Sequence, residues 1–446
     1  MAQRDLTQGA VTRSLFSLTA PMMLAVSSSI LVQMFEIGFI GQLGTTQVAA
    51  ITFTFPLIMI LTSIALGIGI GTSSVIARSV GGGDQQDVQR LGTHSLFLVV
   101  CTLSLLSLLG WLSIDWIFTR LGAGPDTLIL IHDYLDIYYP SVVLFTMTMV
   151  AGNVMRANGN AAIPGVVMTA GAVINLALDP ILIFGWFGAP RMELAGAATA
   201  MAISRIITTI ILMSYIYRSN LILTRNVMAG FVASTKRIMA VGLPAIATQM
   251  IGPVSAAVIT GMLAQHGEVV VAGFGVATRI EAVSIMLLFA LSASIGPFVG
   301  QNWGGGRLDR VESGMGVSYS FCLIWGLIAA SLVALFGSTF ASWVDPNPEV
   351  VAAAGTYLTI VPWTYGLWGV LMMASASFNA LGKPLPSTAL SFTRMFILYV
   401  PLAIVLNRLF GYEGIFYATA ISNGVMGVLG YLWFKHHFFG RNASRR

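Results

Sequence analysis

Long apolar runs follow one another from one end of this chain to the other, and that succession constrains the fold more than any motif does. Polar or glycine-rich breaks divide the sequence into about twelve spans, at 14–41, 47–77, 91–119, 130–155, 160–187, 193–218, 237–264, 270–300, 313–343, 351–378, 385–408 and 414–437. Each is near or above the roughly 20 residues that a helix needs to cross a bilayer, and much longer than the roughly 9–11 residues of a barrel strand. Only 9% of residues are charged and the mean hydropathy is +0.85, whereas a soluble domain carries about 25% charge. The expected fold is therefore an all-α polytopic membrane protein of twelve transmembrane helices.

The distribution of basic residues orients these spans. Arg13, Arg78, Arg90, Arg156, Arg218, Arg225, Lys236, Arg237, Arg307, Arg310, Lys383 and Lys435 share the side of the N-terminus, together with Arg4, Arg441, Arg445 and Arg446. Only Arg120, Arg191 and Arg408 fall on the other side. Both termini are thus expected in the cytoplasm, at the inner membrane. The net charge of +5 follows from these loop residues and does not indicate nucleic-acid binding. The first apolar run is too long for a signal-peptide core and carries Glu36, so it is expected to remain as the first helix. Cys101 and Cys322 lie inside apolar runs and read as inert thiols.

The two halves match at one fixed offset. Pro244 stands 223 residues after Pro21, and the same shift takes Gly38 to Gly261, Gln42 to Gln265 and Gly44 to Gly267. It also takes Gly81-Gly82-Gly83 to Gly304-Gly305-Gly306, and Gly159 to Gly382. After a shorter hairpin, Ala202-Ile203-Ser204 matches Ala420-Ile421-Ser422. Six spans per half is an even number, so the second half enters the membrane as the first does. That predicts two parallel six-helix bundles, residues 1–218 and 237–446, joined by a cytoplasmic linker at 219–236.

Within span 5, Asp179 interrupts an apolar run, with Asn175 four residues earlier on the same helix face. Pro180 has no N–H and frees the carbonyl of Leu176. A carboxylate, an amide and a loosened carbonyl cluster where polarity is costly, which marks a functional site.

With the repeat in view, the chain resembles the multidrug and toxic compound extrusion (MATE) family. The resemblance rests on the twelve spans in two sixes and on Arg279-Ile280-Glu281 followed by Val299-Gly300-Gln301-Asn302-Trp303-Gly304-Gly305-Gly306. Asn158-Gly159 before span 5 adds to it. It implies a V-shaped pair of lobes exporting cationic or amphipathic organic compounds by alternating access, in exchange for protons or sodium. Within the family the chain is similar to the DNA-damage-inducible-type bacterial branch. The match to that branch implies that Glu36, Asn175, Asp179 and Thr199 handle the coupling ion and that Pro21 serves helix bending, while Pro180 is a conformational candidate through its own missing N–H. The branch usually has Asp where this chain has Glu36, one methylene longer.

Depth agrees with a common site. At about 1.5 Å per residue, Glu36 lies roughly 7–8 Å, Asp179 on the order of 12 Å and Thr199 on the order of 9 Å from the outer face. Two carboxyl groups in a low dielectric can share one proton, and a sodium ion can use the same oxygens. The bland readings are a structural acceptor role for Asp179, a pair between Glu36 and Arg205, and helix–helix contact for Thr199 and Asn153. Glu281 and Arg279 read as separate interhelical bonds. No metal constellation, phosphate cradle or catalytic motif appears, so neither a cofactor nor an enzyme is expected, and the protein is expected to act as a monomer among membrane lipids.

Flat cationic cargo suits aromatic and methionine side chains, which nominates Met34, Gln249, Met250 and Tyr365, with Trp363 and Trp368 beside them. The competing function is a flippase for lipid-linked precursors, a class that needs basic residues for polyanionic head groups. Here the span interiors offer only Arg205, Arg279 and Arg394.

Overall fold

The computed structural model describes residues 5–442, with side chains placed through Phe438. Arg4, Arg445 and Arg446, counted above in the charge asymmetry, lie outside the described residues, and Arg441 is described by its backbone alone. The described residues contain helices and no strand. Among the described residues, twelve helical spans are long and apolar enough to cross a membrane, and they follow the twelve apolar runs. Their outward faces carry Leu105, Leu108, Leu109, Leu327 and Leu335, all exposed, the surface a lipid-facing protein presents.

The first half contains α1 (Val11–Gly41), α2 (Thr45–Gly81), α3 (Gln85–Leu112), a short α4 (Ile114–Arg120), α5 (Pro125–Ala157), α6 (Ala162–Phe184) and α7 (Glu193–Arg218). The second contains α8 (Phe231–Ala264), α9 (Glu268–Gly304), α10 (Leu308–Val344), α11 (Pro348–Ile360), α12 (Tyr365–Ala380), α13 (Pro384–Phe392), α14 (Val400–Phe410) and α15 (Tyr412–Asn442). Two expectations change. Span 3 stops at Leu112, and 114–120 is a separate turn of helix. Span 10 is two helices joined by a tight turn at Pro362–Thr364, because Pro362 has no N–H to give and its ring meets the preceding turn. Local chemistry sets several helix starts: Asp84 and Asn347 accept backbone N–H bonds as N-caps, and proline opens α5, α11 and α13. Gly44 and its repeat partner Gly267 precede α2 and α9 with φ of 134° and 102°, a region that costs a side chain dearly.

The chain divides into two compact units. Among the described residues, the first comprises residue 5 and residues 20–246, the second residues 6–19 and 247–442. The boundaries between these units fall inside α1 and α8. Residues 219–230, with the first half of α8, pack as part of the first unit, while Leu6–Thr19 belongs to the second. In the first unit α5 is central and packs against α2, α3 and α7, and α6 packs on α7. Gly171 on α6 makes the last approach close, since a Cβ there would collide with Thr208 of α7. In the second unit α9, α10, α12 and α15 form the packed centre.

Each unit anchors one helix start with a buried charge at a repeat-equivalent position. In the first, Asp87 takes a bidentate bond from Arg237 at the start of α8, with both N···O distances 2.9 Å. The Ser79 hydroxyl donates to Asp87 at 2.6 Å, and Arg90 also reaches it. In the second, 223 residues on, Arg310 donates to the carbonyls of Leu6, Gln8 and Gly9 at 2.9, 3.1 and 2.6 Å. Asn302, the equivalent of Ser79, accepts from Arg310 at 2.9 Å.

Candidate functional site in the first unit

The polar pair of span 5 lies buried on α6. Asp179 is 0% and Asn175 6% exposed. The Asn175 amide donates to Asp179 Oδ2 at 3.1 Å, the contact that spacing four residues apart on a helix makes available. The other oxygens of the pair, Asp179 Oδ1 and Asn175 Oδ1, are buried and accept from no protein donor. A buried polar atom without a partner is costly, and here two acceptors share that condition four residues apart. Their chemistry, hard oxygens with one formal charge, suits a proton or a sodium ion.

Glu36 reaches this pair from α1. It is half-buried and acts electrostatically on Asp179. Arg205 of α7 is the opposite charge that acts on Glu36, but the two form no ion pair. Arg205 instead donates to the Ser141 hydroxyl at 2.8 Å. Its guanidinium lies 5.0 Å from the Tyr138 ring centre and 4.9 Å from that of Phe145. The reading of Glu36 as the salt-bridge partner of Arg205 therefore gives way: the ring faces and hydroxyl of α5 hold the guanidinium. The cation leaves the carboxyl unbridged.

The remaining expected residues are placed as follows. The Thr199 hydroxyl donates to the Ala195 carbonyl at 2.7 Å on its own helix, a common back-bond for threonine, so its proton is not offered to the pair. Asn153 bonds Arg156 at 2.8 Å and the Met149 carbonyl at 3.1 Å, and acts as packing. Pro21 lies inside α1 and packs against Gly165 of α6, where a Cβ would come within 2.7 Å of Pro21. Pro180 lies inside an α6 that continues to Phe184. Met34 and Met250 are exposed and Gln249 half-buried. Tyr365, nominated as a cargo contact, is 0% exposed. It packs beside Glu281 in the second unit. Glu281 accepts a 2.6 Å bond from the Tyr357 hydroxyl, an interhelical bond between α9 and α11.

Sequence reasoning missed Tyr134 and Tyr138. Both are buried on α5, and their rings stack at 5.8 Å. Tyr134 feels Glu36, Arg205 and Asp179 together, which places it among the charges of the site. The signal was available: two tyrosines four residues apart in a span share a helix face, and a buried phenol needs a polar neighbour.

Comparison with known proteins agrees with the repeat. A family model, MatE, matches twice, over residues 21–181 and 244–405, and the two matches begin 223 residues apart. The chain is 32% identical over 431 residues to the FAD transporter of Shewanella oneidensis, covering 96% of this chain and 95% of that one. It is 24% identical over 425 residues to the multidrug export protein MepA of Staphylococcus haemolyticus, covering 95% and 93%. Among solved structures it is similar to the Vibrio cholerae MATE transporter VcmN in the bent form. That similarity has a TM-score of 0.91 and 28% identity, and covers 97% of this chain and 98% of that one.

Proposed function

The chain belongs to the MatE family of membrane transporters, and from that premise we propose that it exports small organic compounds by alternating access in exchange for a proton or a sodium ion. The cation is held at Asp179 and Asn175, with Glu36 as the second carboxyl. One observation carries this reading: the buried pair presents two oxygens without protein donors, beside a second carboxyl that no basic side chain bridges. Loading a cation there changes the charge against which α1 and α6 pack. The Thr199 hydroxyl commits its proton to the Ala195 carbonyl and keeps its oxygen lone pairs for a sodium ion. The protein acts as a monomer in the inner membrane, with both termini cytoplasmic.

The cargo range follows the relatives, one named for FAD and others for multidrug export. Flavin adenine dinucleotide and the cationic dye ethidium are therefore the first two compounds to test. The experiment measures substrate-driven proton movement in proteoliposomes holding a pH-sensitive dye, with and without sodium. Wild type is compared with Asp179→Asn and Glu36→Gln at equal protein density. Coupled flux is expected in wild type and at least a tenfold loss in Asp179→Asn. A sodium requirement identifies sodium as the ion at the same site. Undiminished coupled flux in both variants overturns the site, and lipid scrambling without cargo movement overturns the exporter in favour of the flippase.

A further inference from the structure

The repeat carries the first-unit site onto a second place in the fold, and the charge there is reversed. In spans 1 and 5 the 223-residue offset takes Glu36 to Ile259, Asn175 to Leu398 and Asp179 to Leu402, so these three polar groups become apolar. The same offset takes Gly171 to Arg394, so a guanidinium appears where the first unit has no side chain. In the last span of each half, the offset of the Ala-Ile-Ser match takes Ser204 to Ser422 and Arg205 to Asn423. These positions meet in the structure. Arg394, Ser422, Asn423 and Ile259 line one cavity of about 50 Å³ within the second unit, together with Ser255, Tyr399 and Thr419.

The cavity is rich in donors. Arg394 donates to Asn423 Oδ1 at 2.9 Å and rests over the Trp368 ring at 5.7 Å. A guanidinium carries five N–H donors, and Asn423 takes one of them. Ser422 is 2% exposed, and its hydroxyl has no hydrogen-bond partner. Tyr399, 4% exposed, brings its hydroxyl beside Thr419. The carboxylate that acts on Arg394 is Glu281, yet that carboxylate is engaged by Tyr357 at 2.6 Å. No ion pair between Glu281 and Arg394 forms among the described residues. Arg394 belongs to a π-helical turn, Thr393–Tyr399, between α13 and α14, a backbone form common at functional sites. The volume admits roughly three to five waters, and so one small anionic group and not a whole cargo molecule.

We propose that this cavity is an anion subsite, built on Arg394, Ser422, Asn423 and Tyr399, that takes a phosphate group carried by a small organic molecule. Planar, bidentate recognition of phosphate oxygens is what a guanidinium does well. The cation site of one unit and the anion site of the other are thus the same place in the repeat, filled with opposite chemistry. The assignment of the phosphate to a cargo rests on the exporter reading above; the binding itself does not.

The test titrates the detergent-purified protein with flavin mononucleotide and, as the phosphate-free control, riboflavin, by calorimetry. Wild type is compared with Arg394→Gln, Arg394→Lys and Ser422→Ala. Wild type is expected to bind the phosphorylated form at least tenfold more tightly. Arg394→Gln should erase that preference, Arg394→Lys should retain part of it, and Ser422→Ala should reduce it severalfold. Equal binding of the two flavins by wild type, or a preference unchanged in both Arg394→Gln and Ser422→Ala, overturns the subsite. Repeating the titration in phosphatidylglycerol and phosphatidylcholine nanodiscs separates the sources of phosphate. Unchanged affinity supports a soluble ligand, and loss of flavin binding in phosphatidylglycerol alone assigns the cavity to a lipid head group and overturns the cargo assignment. If wild type moves no cargo, the exporter reading fails while the titration still judges the subsite.

Discussion

At the residue scale, the charged groups in the spans differ in how they are held. Glu281 is tied by a short bond to Tyr357, whereas Asp179 keeps one oxygen without a protein donor. The first arrangement suits structure and the second suits a group that must gain and lose a cation. Tyr357→Phe should therefore leave coupling intact while costing about 1–3 kcal/mol of stability, read as a lower thermal unfolding midpoint with unchanged proton flux. The opposite pattern, normal stability with lost flux, would transfer the coupling role to Glu281. Asp179 and Asn175 were legible because a carboxylate in an apolar run has few explanations. For Tyr365 the sequence leaves the surroundings open, because an aromatic residue in a span fits lipid, cargo and core equally, and only packing shows that it is enclosed.

At the element scale, the spans follow from length and hydropathy, but their breaks do not. Pro140 lies inside an unbroken α5, while Pro362 parts α11 from α12. The two residues carry the same local cost, and the neighbours that satisfy the freed carbonyls decide whether a helix continues. The anchors on the helix starts are equally tertiary. Asp87 and Arg237 are far apart in the chain, and nothing local announces their bidentate bond. Asp87→Asn should lower stability by about 1–3 kcal/mol. A double-mutant cycle with Arg237→Gln should then give a coupling energy above ~0.5 kcal/mol. Additive effects would show that the bond contributes nothing specific.

At the scale of the whole molecule, the excess of arginine and lysine in alternate loops predicts sidedness. In spheroplasts of cells carrying a Cys101→Ala, Cys322→Ala background, an Ala189→Cys variant should react with an impermeant maleimide. An Asn226→Cys variant should react only after permeabilisation, and the reverse pattern would invert the orientation. The sequence by itself determined twelve helices, a six-plus-six repeat and one polar pair on α6, because hydrogen-bond satisfaction in lipid leaves a long apolar run little choice but helix. Only the tertiary structure decided where the units divide, what holds Arg205 and Glu281, and that Arg394 meets Ser422 and Asn423. Those outcomes depend on which helix faces pack together, and in a chain apolar on nearly every face the hydrophobic pattern does not single out the face that turns inward.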